Sequence, residues 1–158
     1  MADANLPLFP DFALRPAGFD DARLIFDWQN DAETRRQSRN SEPLEWGAHL
    51  VWLRRALADP RRRIFIGLAS NIPCGIVRFD LIDETCSELS WVVGPEFRGR
   101  GLGNQLVAAA LALATTPRIL AEIKPGNPAS LAVARRCGFR QISDGTLITR
   151  WEITSTPG

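Results

Sequence analysis

The sequence predicts an α+β domain of mixed α/β type, with a mostly antiparallel sheet of about seven strands and four helices. Three observations point there. Two helical periodicities come early in the chain. Three β-patterned runs then follow one another with only tight turns between them. After a glycine-rich loop the pattern changes to helix, strand, helix and two closing strands. Strands joined by tight turns pair antiparallel, whereas a doubly wound parallel sheet needs a helix between strands.

Residues 1–10 read as a flexible lead-in, 11–154 as a single domain and 155–158 as a tail. Phe12-Ala13-Leu14-Arg15 alternates as a short strand, stopped by Pro16. Asp20 or Asp21 caps a helix running to about Asn30, with Leu24, Ile25 and Trp28 on its apolar side. Residues 31–42 are polar and read as a connection. A second helix begins near Pro43, capped by Ser41, with Trp46, Leu50, Leu53 and Leu57 at helical spacing, and Asp59-Pro60 ends it. Residues 63–68, 75–80 and 88–93 read as strands, turning at Ser70-Asn71 and Asp83-Glu84. Beyond the glycine loop, 102–114 is an Ala/Leu-rich helix, 119–124 a strand and 128–137 a helix, with short strands near 139–143 and 147–153.

A chain of 158 residues builds one full core. Its net charge of +1, from 19 basic and 18 acidic side chains, lacks the basic surplus of a nucleic-acid binder. No apolar run approaches the roughly 20 residues that span a bilayer, and the N-terminus does not resemble a signal peptide. Cys74, Cys86 and Cys137 are too scattered for a metal site and read as small core residues in a reducing, cytoplasmic compartment. No nucleic acid, membrane or metal partner is expected, and the chain is expected to be a monomer or homodimer.

The run Arg98-Gly99-Arg100-Gly101-Leu102-Gly103, followed by Asn104, lies between a strand and a helix. Glycines let backbone N–H groups approach an anion, and the helix start adds unpaired N–H groups and the positive end of its dipole. A plain turn would also use glycines here. The surroundings decide between the two. Arg98-x-x-Gly101-x-Gly103 matches a Q/R-x-x-G-x-G/A pattern, Val92-Val93-Gly94-Pro95-Glu96-Phe97 leads into it, and Asn127-Pro128-Ala129-Ser130 and Cys137-Gly138-Phe139 follow downstream. Together these resemble the GNAT family of N-acetyltransferases, over roughly residues 12–153. A dinucleotide fingerprint would instead close a first βαβ unit and carry an acidic residue about 20 positions on.

The resemblance implies the GNAT fold, with splayed fourth and fifth strands and acetyl-CoA in the gap as co-substrate. It implies that the backbones of Val92 and Val93 pair with the pantetheine amides and polarise the thioester carbonyl. Arg98, Gly99, Arg100, Gly101, Leu102 and Gly103 would hold the pyrophosphate, with Asn104 at the helix start, and Asn127 and Ser130 would bond the arm from the other side. Direct attack of an amine on a thioester gains most from such placement. Glu88, on the strand leading to the loop, is the candidate base, since some family members place an acidic residue there; a surface glutamate would read the same way. The family's usual tyrosine, the general acid, falls at Ala134, and the chain has no tyrosine. Cys137, Ser130 or a water is left to give that proton.

Trp28-Gln29-Asn30-Asp31, Arg39-Asn40-Ser41, His49-x-x-Trp52 and Arg78-Phe79-Asp80 resemble the GNAT branch that acetylates the 4-amino group of nucleotide-linked deoxy sugars, of the pseudaminic acid pathway type. On that reading Trp28, Asn30, His49, Arg78 and Trp91 bind the acceptor: tryptophans stack on rings, amides bond hydroxyls and arginine meets phosphate. Trp28 and Trp52 on apolar helix faces read equally as core, and His49 as a packed or capping histidine. The acceptor expected is a small-molecule amine. A protein N-terminus, as in ribosomal-protein acetyltransferases, is the second reading, and a non-catalytic CoA-sensing module the third.

Overall fold

The computed structural model describes residues 9–154. The expected tail and the first eight residues of the lead-in lie outside that range. Phe9 is tied down: its N–H donates to Gln105 Oε1 at 3.2 Å and its carbonyl accepts from Gln105 Nε2 at 2.9 Å.

The elements in chain order are β1 (Phe12–Pro16), a 3-10 turn (Phe19–Asp21), α1 (Ala22–Gln29), α2 (Ala32–Gln37), α3 (Trp46–Ala58), β2 (Arg62–Ala69), β3 (Ile72–Asp83) and β4 (Cys86–Val93). A second 3-10 turn (Pro95–Phe97), α4 (Leu102–Leu111), β5 (Arg118–Ile123), α5 (Pro128–Arg136), β6 (Arg140–Asp144) and β7 (Thr149–Thr154) follow. The seven strands form one sheet in the order β1-β2-β3-β4-β5-β7-β6. Every pairing is antiparallel except β4 with β5. The mixed, mostly antiparallel sheet is the one predicted.

Strand alternation sends side chains to two helical layers. Ile64, Ile66 and Ile76 pack under α1 and α3, against Ala22, Ile25, Trp28, Leu53 and Ala56. Val77, Phe79, Leu89, Ile119, Ala121 and Ile123 face the other way, onto Leu106, Val107 and Ala110 of α4 and Ala134 of α5. The β2–β3 turn puts Ser70 and Asn71 at φ 50° and 66°, as a tight hairpin turn twisting with its strands requires.

Two helix expectations need correction. The second predicted helix starts at Trp46 rather than Pro43, because Glu45 and not Ser41 caps it. Glu45 accepts from the N–H groups of Gly47 at 2.9 Å and Ala48 at 2.7 Å, and so satisfies two free donors at once. The segment 31–42, read as a polar connection, contains the six-residue α2, making five α-helices among the described residues. None of its side chains is buried, so it leaves no apolar period in the sequence. Asp31 caps it, accepting from Thr34 N–H at 3.2 Å.

Candidate active site

The parallel β4–β5 ladder is short. It joins Cys86 to Arg118, Ser87 to Ile119 and Glu88 to Leu120, and no further. Beyond Glu88 the two strands part, and the β5-facing edge of residues 89–93 has no ladder partner. Val92 and Val93 stand on that stretch of β4, half-buried. Such a V-shaped opening admits a chain that itself carries amides.

The glycine loop closes the wide end of this gap. Gly99 and Gly101 hold φ of 77° and 74°, the left-handed region that glycine tolerates best. Gly101 is the N-cap of α4 and brings no capping side chain, so the helix start keeps N–H groups for an anion. A Cβ on Gly99 would meet nothing within 4 Å, which leaves the loop open on that side. Asn104 Oδ1, on the first turn of α4, is buried and without a hydrogen-bond partner among the described residues. These residues fit a phosphate group and its attached chain. Gly103 has another task, because a Cβ there would come 2.9 Å from Val133 Cγ2 of α5; it lets the two helices approach. Arg98 turns its guanidinium away from the loop, to Asp31 at 2.5 Å, and the exposed Arg100 guanidinium lies 5.9 Å from the Phe97 ring.

Asn127 caps α5, its Oδ1 accepting from Ser130 N–H at 3.2 Å. Both residues thus stand at the start of the helix that follows β5.

Glu88 occupies the last paired position before the strands diverge. It is the partner of Asp80, which is itself the partner of Arg62, so the three side chains share a cross-strand row. Burial pushes the Glu88 carboxyl above its ordinary value, and the nearby Glu122 and Asp80 carboxylates push the same way. Arg39 and Arg78 oppose them. The neighbouring charges are otherwise engaged: Arg78 Nε lies 2.8 Å from Asp80 Oδ2, Arg62 Nε 3.4 Å from Asp80 Oδ1, and Arg150 Nε 3.5 Å from Glu122 Oε1. Arg39 also pairs with Glu122. Among the described residues Glu88 has no ion pair of its own, which leaves it as the half-buried carboxylate of the cluster able to take up a proton.

The acetyltransferase (GNAT) domain model matches residues 11–140, most of the chain. The chain belongs to the GNAT acetyltransferase family. It is an acyltransferase, and acetyl-CoA is its acetyl donor. No curated protein sequence matches it. Among solved structures it is similar to spermidine N-acetyltransferase from Vibrio cholerae in complex with CoA and spermine (TM-score 0.80, 21% identity, covering 90% of this chain and 95% of that one). It is also similar to a domain from Methanocaldococcus jannaschii (TM-score 0.81, 18% identity, 92% and 99% covered). A third is a putative phosphinothricin N-acetyltransferase (TM-score 0.79, 18% identity, 93% and 100% covered). At these identities the likeness establishes the shared fold.

In this GNAT chain the residues read as acceptor contacts are not gathered in one place. Trp28 is 4% exposed, and its ring lies 2.9 Å from where a Gly94 Cβ would stand, so it is core and offers no stacking face. His49 is buried, with Nε2 2.9 Å from the Ala22 carbonyl and its ring stacked between Trp46 and Trp52. Asn30 Oδ1 accepts from Leu44 N–H at 2.8 Å and holds the connection before α3. Trp91 packs towards Phe139, with ring centroids 6.3 Å apart, on the α4–α5 side of the sheet. Only Arg78 stands beside Glu88.

Sequence reading missed Glu122, and it named Arg39 and Asp80 only as parts of acceptor motifs; the proximity of all three to Glu88 depends on strand register and on the path of residues 31–45. It also missed Arg55, which with Trp52, Asp59 and Arg62 lines a groove of about 540 Å³ along α3. Arg78 links the groove to Glu88, its guanidinium 5.6 Å from the Trp52 ring centroid. A second groove of about 540 Å³ opens between Arg39, Glu122 and the β6–β7 hairpin.

Ala134, where the family tyrosine would stand, is wholly buried in the core on α5. Cys137 Sγ points to the Asn104 carbonyl at 3.7 Å, and burial raises its thiol pKa. Among the described residues no cluster of three His, Cys, Asp or Glu side chains could hold a metal, and no helix is long and apolar enough to cross a membrane.

Proposed function

We propose that this acetyltransferase acetylates the primary amine of a nucleotide-linked amino sugar, with Glu88 as general base. The observation that carries the base assignment is the position of Glu88: half-buried, at the last paired position before β4 and β5 part. Val92 and Val93 would pair through their backbone with the amides of the donor's arm, Gly99 to Asn104 would hold its pyrophosphate, and Asn127 and Ser130 would line the far side. Glu88 accepts a proton from the incoming ammonium, directly or through water. The amine nitrogen then bonds to the acetyl carbon as the carbon–sulfur bond breaks, sulfur leaves as a thiolate, and the second proton on nitrogen passes through water to that thiolate, giving the neutral amide and the free thiol of CoA. An amine with a pKa near 8 needs only a modest base, and a thiolate is a tolerable leaving group.

The α3 groove supports the nucleotide part of the acceptor. Trp52 offers an aromatic face and Arg55 a guanidinium group suited to a diphosphate, with Arg62, already paired to Asp80, beside it. The test compares acetyl transfer to a nucleotide-linked 4-amino sugar, to the free amino sugar and to spermidine. The nucleotide-linked acceptor should give the highest kcat/KM. Arg55→Ala should raise its KM about five- to tenfold, one exposed charge-assisted contact, and leave the free sugar unaffected. Equal kcat/KM for the free and nucleotide-linked sugars would sink the acceptor assignment. The buried Ala134 favours one other reading, a module that binds CoA without turnover; tight CoA binding with no thiol release on any amine of the panel would favour it.

A further inference from the structure

Hydrophobic burial does not hold α2 in place, since none of its side chains is buried. Polar contacts do, and they run to both sides of the β4–β5 gap. At the N-terminal end, Arg98 Nη2 donates to Asp31 Oδ2 at 2.5 Å and to Thr34 Oγ1 at 3.3 Å. Arg98 begins the glycine loop that follows β4. At the other end, Gln37 Nε2 donates to the Gly126 carbonyl at 3.2 Å, Lys124 Nζ donates to the Arg36 carbonyl at 2.8 Å, and Arg39 pairs with Glu122. Glu122 lies on β5, with Lys124 and Gly126 just beyond it. A six-residue helix thus bridges the two lips of the gap by side-chain contacts alone.

The link at the β4 lip is the exchangeable one. The Arg98 side chain is 41% exposed and that of Asp31 23%, so water and salt screen the pair. Arg98 also belongs to the loop assigned to the pyrophosphate. A pyrophosphate carries more charge than one carboxylate and more oxygens in the geometry a guanidinium prefers. Asp31 competes with it for the same group. We propose that α2 is a strap across the mouth of the gap, and that Asp31 fastens it to Arg98 until a donor phosphate takes the guanidinium. Asp31 is a positioning residue in this scheme, acting through Arg98. The inference rests on the donor reading proposed above.

Two consequences follow from the same contacts. Reciprocity requires that whatever holds the strap closed weakens donor binding by the same factor as the donor loosens the strap. The strap's far end, Arg39, sits on Glu122 and acts electrostatically on Glu88, so loosening it uncovers the carboxylates that face an incoming ammonium. Arg98 also holds the Asp31 carboxyl below its ordinary value, which keeps it charged and leaves the fastening to the donor rather than to pH.

Asp31→Asn tests the proposal without removing the helix cap, because asparagine caps about as well as aspartate. Hydrogen exchange is followed at amides 32–37 of the full chain, with and without CoA, and CoA affinity is measured by calorimetry. In the native protein CoA should speed exchange at these amides two- to fivefold, the size of one exposed ion pair. In Asp31→Asn they should exchange at the faster rate already, CoA should change them no further, and CoA should bind two- to fivefold more tightly. Unchanged or slower exchange in the native protein with CoA bound would overturn the strap while the donor site stands. Weaker CoA binding by Asp31→Asn would overturn it too, since Asp31 would then be supporting the loop. Failure of the native protein to bind CoA at all would remove both.

Discussion

Gly99→Ala isolates the backbone contribution of the glycine loop. Gly99 sits at φ 77°, and a Cβ there would have nothing within 4 Å. Alanine therefore meets no neighbour, and its only cost is conformational, about 1–2 kcal/mol for an L residue in the left-handed region. The loop can respond in two ways. If it keeps its shape, folded stability falls by that amount. If it relaxes to a negative φ, its N–H groups turn from the phosphate position and the same amount appears in binding. At 1.4 kcal/mol per decade this weakens CoA about 5- to 30-fold. Calorimetric titration with CoA and thermal unfolding of the same variant together capture both outcomes. Gly99→Asn should show a smaller effect, since asparagine visits that region more readily. Unchanged affinity together with unchanged stability in Gly99→Ala would refute the assignment of a strained phosphate cradle.

Glu88→Gln should remove the acidic limb of the kcat/KM–pH profile, and the native limb should lie above the ordinary carboxylate range because burial raises this carboxyl. Retention of the limb in the variant would assign it to another group. The sign for stability follows from the same shift. A raised folded-state pKa favours the folded protein at low pH, and that advantage is lost as pH rises from the unfolded value through the folded one. Glu88→Gln should therefore match the native protein in acid and exceed its stability at neutral pH, as read by denaturant midpoints. Trp28→Ala should cost about 3–5 kcal/mol of stability, the usual range for a buried aromatic, and leave acceptor KM unchanged in whatever fraction stays folded. A large rise in KM with little loss of stability would restore Trp28 as a substrate contact.

Much of the fold was legible because its signals are local. The three-strand meander, the glycine loop and α4 each show in a window of a dozen residues, through alternation, turn residues or apolar period. What escaped was set by contacts between distant residues. α2 has no buried side chain, and polar contacts explain why a helix forms there: the Asp31 cap, the pairs to Arg98 and Glu122, and the bonds to Lys124 and Gly126. The start of α3 was placed at a proline, whereas the carboxylate of Glu45 fixes it three residues later. The donor side of the site was readable as a contiguous motif. The acceptor side was not, because Arg62, Asp80 and Glu88 come from three strands and meet only through register. Trp28 and His49 have residue types that also serve in ligand sites, and composition alone does not separate the two uses; burial to 4% and 5% does.

The central claim is that the gap between β4 and β5, closed by the loop from Arg98 to Asn104, holds the acetyl donor. Titration of CoA into isotope-labelled protein, followed by amide NMR shifts, tests it most directly because no acceptor is required. The largest shifts should fall on Val92 and Val93, on residues 98–104 and on the α5 start at residues 127–130. Saturable shifts confined to other surfaces, with those amides unmoved, would contradict it.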